Sequence, residues 1–177
     1  MKWCKIPGVS ILGIILLMLA LPVVPAYGAL NLGNIYAEPK EGKIGTKIEV
    51  IGGGFDDNEA LRIYFSSQKA DYGGDIDDEV TAYKTLGVAY TDDWGKVEPA
   101  FHFIVPDELT DGKDKEYVHG GTYYIYATYY YGKRISAMAT FDVIKGEIKL
   151  DRESGSVGIK VEISGNEFRQ NQEISVE

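Results

Sequence analysis

Residues 35–64 recur, without insertion or deletion, as residues 148–177. Gly42, Gly45, Lys47, Glu49, Gly52, Phe55 and Asn58 return as Gly155, Gly158, Lys160, Glu162, Gly165, Phe168 and Asn171, each 113 positions later. Ile44, Ile48, Val50, Leu61 and Ile63 return conservatively as Val157, Val161, Ile163, Ile174 and Val176. A period that holds through glycine, charged and apolar positions alike marks one structural unit used more than once. The sequence therefore reads as a complete module, residues 29–144, followed by the first strands of a second, truncated module, residues 145–177. It is expected to be a piece of a longer tandem-repeat protein.

The N-terminus reads as an export signal. Lys2 and Lys5 precede the apolar run from Val9 to Leu21, Pro22 and Pro25 end that run, and Ala26-Tyr27-Gly28 places small residues where a signal peptidase reads. Residues 1–28 are expected to form a signal peptide cleaved after Gly28, and the protein to be exported, extracellular or at the cell surface. The apolar run is short for a bilayer span of roughly 20 residues. Membrane attachment is thus expected only through the signal segment, if it stays uncleaved. The only cysteine, Cys4, precedes the run, so the mature chain must hold its fold without disulfides. The net charge of −9, from 27 acidic and 18 basic residues, argues against a nucleic-acid partner, whose phosphates call for clustered Lys and Arg.

The mature sequence carries strand signals throughout and no stretch with a sustained helical period, which is an all-β reading. In Thr46-Lys47-Ile48-Glu49-Val50-Ile51, alternation puts Ile48 and Val50 on one face and turns Lys47 and Glu49 to water. Gly52-Gly53-Gly54 ends that strand, with Phe55 as an anchor; Leu61, Ile63 and Phe65 alternate in the next. Asp92-Asp93-Trp94-Gly95 predicts a tight turn with Gly95 at positive φ. Later strands are expected at Phe101–Val105, Thr122–Thr128 and Ile135–Val143. Strands at this spacing, joined by glycine-containing turns, predict a two-sheet β-sandwich. Residues 66–80 and 107–120 are long, polar and charged, and are expected to be loop insertions. The linker, Lys145-Gly146, is too short to tether modules flexibly.

These motifs resemble a known family. Gly42-Lys43-Ile44-Gly45-Thr46-Lys47-Ile48-Glu49-Val50-Ile51-Gly52-Gly53-Gly54-Phe55 is similar to the opening of bacterial and archaeal immunoglobulin-like (IPT/TIG-like) repeats of exported surface proteins. Thr91 to Gly95 with Phe101 to Pro106, then Gly121 to Thr128, then Ala137 to Val143 resemble the later blocks of such repeats in the same order. The resemblance implies an immunoglobulin-like fold and a non-catalytic role as spacer, adhesive module or enzyme appendage. Gly121-x-Tyr123-x-Ile125 resembles the tyrosine corner of those sandwiches, which implies that Tyr123 is buried. The second copy departs at Ile159, in the place of Thr46, and at Asn166-Glu167, in the place of Gly53-Gly54.

Candidate chemistry is sparse. The histidines, His102 and His119, lack metal-ligand spacing and a nucleophile motif, so no catalytic residue is assigned and the chain is expected not to be an enzyme. Asp71, Asp75, Asp77, Asp78 and Glu79, around the flexible Gly73-Gly74, are candidate Ca²⁺ ligands, although their spacing is not that of an EF-hand. No other cofactor is implied. Tyrosine is abundant, at 13 residues, and alternation puts Tyr124 and Tyr126, continued by Tyr130, on the outer strand face as a candidate ligand or partner surface. The expected function is that of a spacer and adhesive element whose partners are other protein modules or surface glycans. The alternative is an accessory carbohydrate-binding module of a secreted hydrolase.

Overall fold

The computed structural model describes residues 32–166. The signal segment expected at 1–28 and the end of the second copy, 167–177, lie outside the described residues. The strands are β1 (Asn34–Glu38), β2 (Glu41–Gly42), β3 (Lys47–Gly53), β4 (Ala60–Ser66), β5 (Tyr83–Tyr90), β6 (Phe101–Ile104), β7 (Glu108–Leu109), β8 (Glu116–Tyr117), β9 (Gly121–Tyr129), β10 (Ile135–Val143), β11 (Glu147–Leu150) and β12 (Ile163–Asn166). One helical turn, α1 (Ile76–Glu79), lies between β4 and β5. The chain is thus an all-β protein. Among the described residues no helix is long and apolar enough to cross a membrane.

Two sheets carry most strands, one in the order β1-β3-β6 and the other in the order β2-β10-β9-β4-β5. Pairing is antiparallel except where β2 runs parallel to β10. Alternation explains which faces meet. On β3, Ile48 and Val50 are buried while Lys47 and Ile51 are exposed. Ile35, Ile48, Val50 and Phe103 of the first sheet join Leu61, Ile63, Phe65, Tyr123, Ile125 and Phe141 of the second in one apolar cluster. Its centre is the Phe65–Tyr123 pair, stacked with ring centroids 4.9 Å apart. Tyr123 is buried, and its hydroxyl accepts a hydrogen bond from the His119 N–H at 3.0 Å.

The two polar insertions are structured, which the sequence reading did not anticipate. Ala70, Ile76 and Val80 fold onto the outer face of the five-stranded sheet and form a second cluster with Tyr64, Tyr126 and Ile135. Backbone bonds between Gly73 and Ile135, Ile135 and Gly74, and Ile76 and Lys133, each 2.9 Å, stitch this cover to the start of β10. The 107–120 segment forms the β7–β8 ladder and sends Leu109 and Val118 into the main core. Three apolar residues scattered through an acidic run give no periodic signal, yet they suffice to dry one patch of sheet.

The second copy reproduces the first in register. β1 pairs with β3 through Asn34↔Gly53, Ile35↔Gly52, Tyr36↔Ile51 and Ala37↔Val50. Moved by the repeat period, these pairs become Glu147↔Asn166, Ile148↔Gly165, Lys149↔Ser164 and Leu150↔Ile163, which are the observed pairs of β11 and β12. The connecting turn is repeated as well. Gly45 and Gly158 have φ of 87° and 84°, and Thr46 N–H to Lys43 O (3.0 Å) corresponds to Ile159 N–H to Ser156 O (3.1 Å). One difference remains: Ile35 and Val50 are buried, whereas Ile148 and Ile163 are exposed.

Candidate binding surface

Two acidic residues of the 71–79 segment have structural partners. Asp75 caps α1, its side chain accepting from the Asp77 N–H at 3.0 Å. Asp77 accepts from Lys133 Nζ and, at 2.8 Å, from the Tyr83 hydroxyl. The Lys133 ammonium, helped by the Tyr83 hydroxyl, holds the Asp77 carboxyl below its usual range against the opposing effect of burial. Burial first, and the bond to Asp77 second, push the Tyr83 phenol up to about 12. Asp71, Asp78 and Glu79 face solvent. Of the five residues expected as Ca²⁺ ligands, Asp75 and Asp77 are thus engaged within the protein, and the other three are exposed. Among the described residues, no group of three or more His, Cys, Asp or Glu side chains is arranged to hold a metal ion. Spacing along the chain could not show that one carboxylate caps a helix and another is turned toward Lys133 and Tyr83.

The tyrosine face is corrected in the same region. Tyr124 and Tyr126 do lie on the outer face of β9, but Tyr126 is fully buried beneath the insertion. Its hydroxyl accepts from the Ala70 N–H at 2.7 Å and donates to the Gln68 carbonyl at 2.8 Å. Tyr124 is half-buried and stacks on Tyr126 at 6.2 Å. Of the three, Tyr130 alone is an exposed aromatic residue. Alternation assigned the face correctly; what covers that face is a tertiary matter.

An aromatic surface remains at the end of the fold where the β3–β4, β5–β6 and β9–β10 connections meet. Trp94 is 76% exposed, Tyr90 60% and Tyr131 98%. These loops are tied together. The Asp92 carboxylate accepts from the N–H groups of Lys96 and Trp94 at 2.8 and 2.9 Å, which lowers its pKa. Gly95 takes φ of 67° and lies so close to Phe55 that a methyl group there would collide with the Phe55 carbonyl. Asn58 donates to Asp93 at 3.0 Å, and the Asp56 N–H donates to the Tyr129 hydroxyl at 3.1 Å. Arg62 lies over the Tyr130 ring at 4.5 Å, and Tyr131 meets Tyr130 edge-on at 5.1 Å. The sequence reading included Tyr130 but not Tyr90, Trp94 or Tyr131. Their signal was an aromatic residue within or beside the β5–β6 and β9–β10 turns, legible only once those turns are known to share one end.

The histidines lie apart from this surface. His102 is exposed on β6 with Nε2 3.9 Å from a Glu49 carboxylate oxygen, and His119 lies in the loop before β9.

No protein-family model matches the chain, and no curated protein matches it. Among solved structures, the chain is similar to one described as "Pseudomonas fluorescens alkylpurine DNA glycosylase AlkC bound to DNA containing an abasic site analog", at a TM-score of 0.36 and 13% identity. That alignment covers 66% of this chain and 31% of the other. That neighbour is an enzyme bound to DNA, so the expectations that this chain is not an enzyme and has no nucleic-acid partner are withdrawn. Both rested on whole-chain features, net charge and missing motifs, which do not describe a local surface. At this similarity, the likeness assigns neither property to this chain.

Proposed function

We propose that this chain is a module of an exported tandem array, an immunoglobulin-like two-sheet β-sandwich similar to IPT/TIG-like repeats, working as a spacer and adhesive element. The observation that carries this reading is the register identity of the β1–β3 and β11–β12 hairpins across the repeat period. A sheet that binds its partner sheet through Ile35 and Val50 has its counterpart in a hairpin offering Ile148 and Ile163 in the same places. Strand order adds support. Orders β1-β3-β6 and β10-β9-β4 correspond to A-B-E and G-F-C of the immunoglobulin fold, and the Tyr123–His119 bond has the form of a tyrosine corner. Export rests on the features of residues 1–28. The Lys145-Gly146 link leaves little slack between modules, which suits a stiff spacer. The alternative, an accessory carbohydrate-binding module of a secreted hydrolase, is favoured by the exposed Tyr90, Trp94 and Tyr131.

The test is to complete the second copy. Glu177 is the counterpart of Tyr64, so a duplicate of Phe65–Lys145 joined after Glu177 continues the repeat. The extended chain is expected to protect the amides of 147–166 from hydrogen exchange as strongly as those of 34–53, and to scatter X-rays as two bodies in line. Leu150 stands where the first copy has Ala37, so the same chain with Leu150→Ala controls for overpacking, which costs about 1–3 kcal/mol. Unprotected 147–166 amides in both chains would refute the reading.

A further inference from the structure

We propose that the outer face of the five-stranded sheet, where Tyr90, Ala60 and Tyr130 form one cross-strand row, is a slot for an acidic carbohydrate. The Tyr90 ring would stack on a sugar ring, and Arg62, held over the Tyr130 ring, would pair with a uronate carboxylate. The row follows from register: Ala60 pairs with Tyr90 across β4 and β5, and the Tyr130 N–H donates to the Ala60 carbonyl at 2.8 Å. Alternation sends all three side chains outward, because their neighbours Ala89, Leu61 and Tyr129 belong to or pack against the main core. With strands about 4.8 Å apart, the two tyrosines flank the alanine across roughly 10 Å. The methyl of Ala60 makes the floor between them. Tyr131 extends one wall, and the insertion over Tyr64 and Tyr126 closes the inner end of the slot.

Arg62 supplies the charge. It lies in the next row, opposite Val88 and Thr128, with its guanidinium over the Tyr130 ring. Among the described residues, no carboxylate lies within ion-pair distance of it. In a chain of net charge −9, this is a positioned fork with donors left for a carboxylate. An extended peptide would need a free sheet edge for backbone pairing. Here β4, which carries Ala60 and Arg62, is bonded on both sides, to β5 and β9, so on that strand only side chains can meet a ligand. The exposed Tyr90 ring beside a small residue suits the C–H face of a sugar ring.

This proposal rests on the adhesive part of the function proposed above. Its failure would leave the tandem-module reading standing, because the extended-chain exchange experiment tests that reading separately. The full chain is titrated by calorimetry with trigalacturonate, with neutral galactotriose and with hexaglutamate. Trigalacturonate is expected to bind more tightly than galactotriose by at least about tenfold, and to lose a comparable factor in Arg62→Gln and in Tyr90→Ala. Tyr90→Phe should retain binding, since it keeps the ring. Far-UV circular dichroism of each variant separates lost binding from lost fold, and Tyr131→Ala, at a nearly fully exposed side chain, provides a substitution safe for folding. No heat of binding up to about 10 mM trigalacturonate, binding indifferent to Tyr90→Ala and Tyr131→Ala, or equal affinity for hexaglutamate would overturn the proposal.

Discussion

Tyr126→Phe tests whether the acidic insertion is a packed layer on the sheet. The substitution keeps the ring and its burial and removes only the hydroxyl, which joins the Ala70 N–H and the Gln68 carbonyl at 2.7 and 2.8 Å. Each such bond contributes about 1 kcal/mol net, and a buried donor left without an acceptor costs about 1–3 kcal/mol. Ala70 is buried, so its N–H would be orphaned. The sum is a loss of about 3 kcal/mol, or roughly 10 °C in melting temperature for a domain of this size. Urea unfolding followed by circular dichroism should show a lower midpoint at unchanged slope. Hydrogen exchange at Gly73, Ile76 and Ile135, whose amides hold the cover to β10, should speed up in parallel. The neighbouring Tyr124→Phe, at a half-buried ring, serves as control and should stay within about 0.5 kcal/mol. A Tyr126→Phe chain as stable as the parent, or faster exchange confined to a fold of undiminished stability, would refute the account of the insertion as a cooperative part of the core.

Two further outcomes follow from the geometry. Gly95→Ala must place a methyl against the Phe55 carbonyl at positive φ, whereas Gly45→Ala meets open space at a similar φ. The first should cost about 3 kcal/mol or more and the second about 1 kcal/mol, by denaturant midpoints, and equal costs would contradict the packing of the 91–97 turn on Phe55. Alkali should unfold the protein through its buried phenols. The Tyr83 phenol is raised to about 12 from an ordinary value of 10, and burial raises Tyr123, Tyr126 and Tyr129 as well. The folded state holds these protons where the unfolded chain would lose them. The Tyr83 contribution is therefore complete below pH 10 and disappears as pH rises through about 12. Phenolate absorbance should show the Tyr83, Tyr123, Tyr126 and Tyr129 phenols ionising only as circular dichroism reports unfolding. Ionisation of every tyrosine in one step near pH 10, with the fold intact, would contradict the burial.

The all-β architecture was legible because strand alternation is a local property. Ile48 and Val50, Leu61 and Ile63, and Ile125 with Ala127 alternate in sequence and are buried together. The turn at Gly95 was legible for the same reason: φ of 67° is a demand that Asp92-Asp93-Trp94-Gly95 meets locally. The repeat went further, since equal spacing of glycines and apolar residues in both copies carries equal strand pairing. The candidate site was legible only in part. Tyr130 was marked as a surface aromatic residue, while Tyr126 was assigned to solvent and Tyr90 was overlooked.

What the sequence determined by itself, then, was everything set by neighbours a few residues apart: strand faces, tight turns and the period of the repeated unit. Only the tertiary structure decided which outward faces stay wet. Ala70, Ile76 and Val80 cover Tyr126 because burial depends on what approaches from elsewhere in the chain, and the register of β4 with β5 and β9 sets Tyr90 and Tyr130 on either side of Ala60. Such contacts between segments distant in sequence follow no local period. The matched hairpins make the point most directly: near-identical residues pair identically, yet Ile35 is dry and Ile148 is exposed, because a second sheet packs on the first hairpin and, among the described residues, none packs on the second.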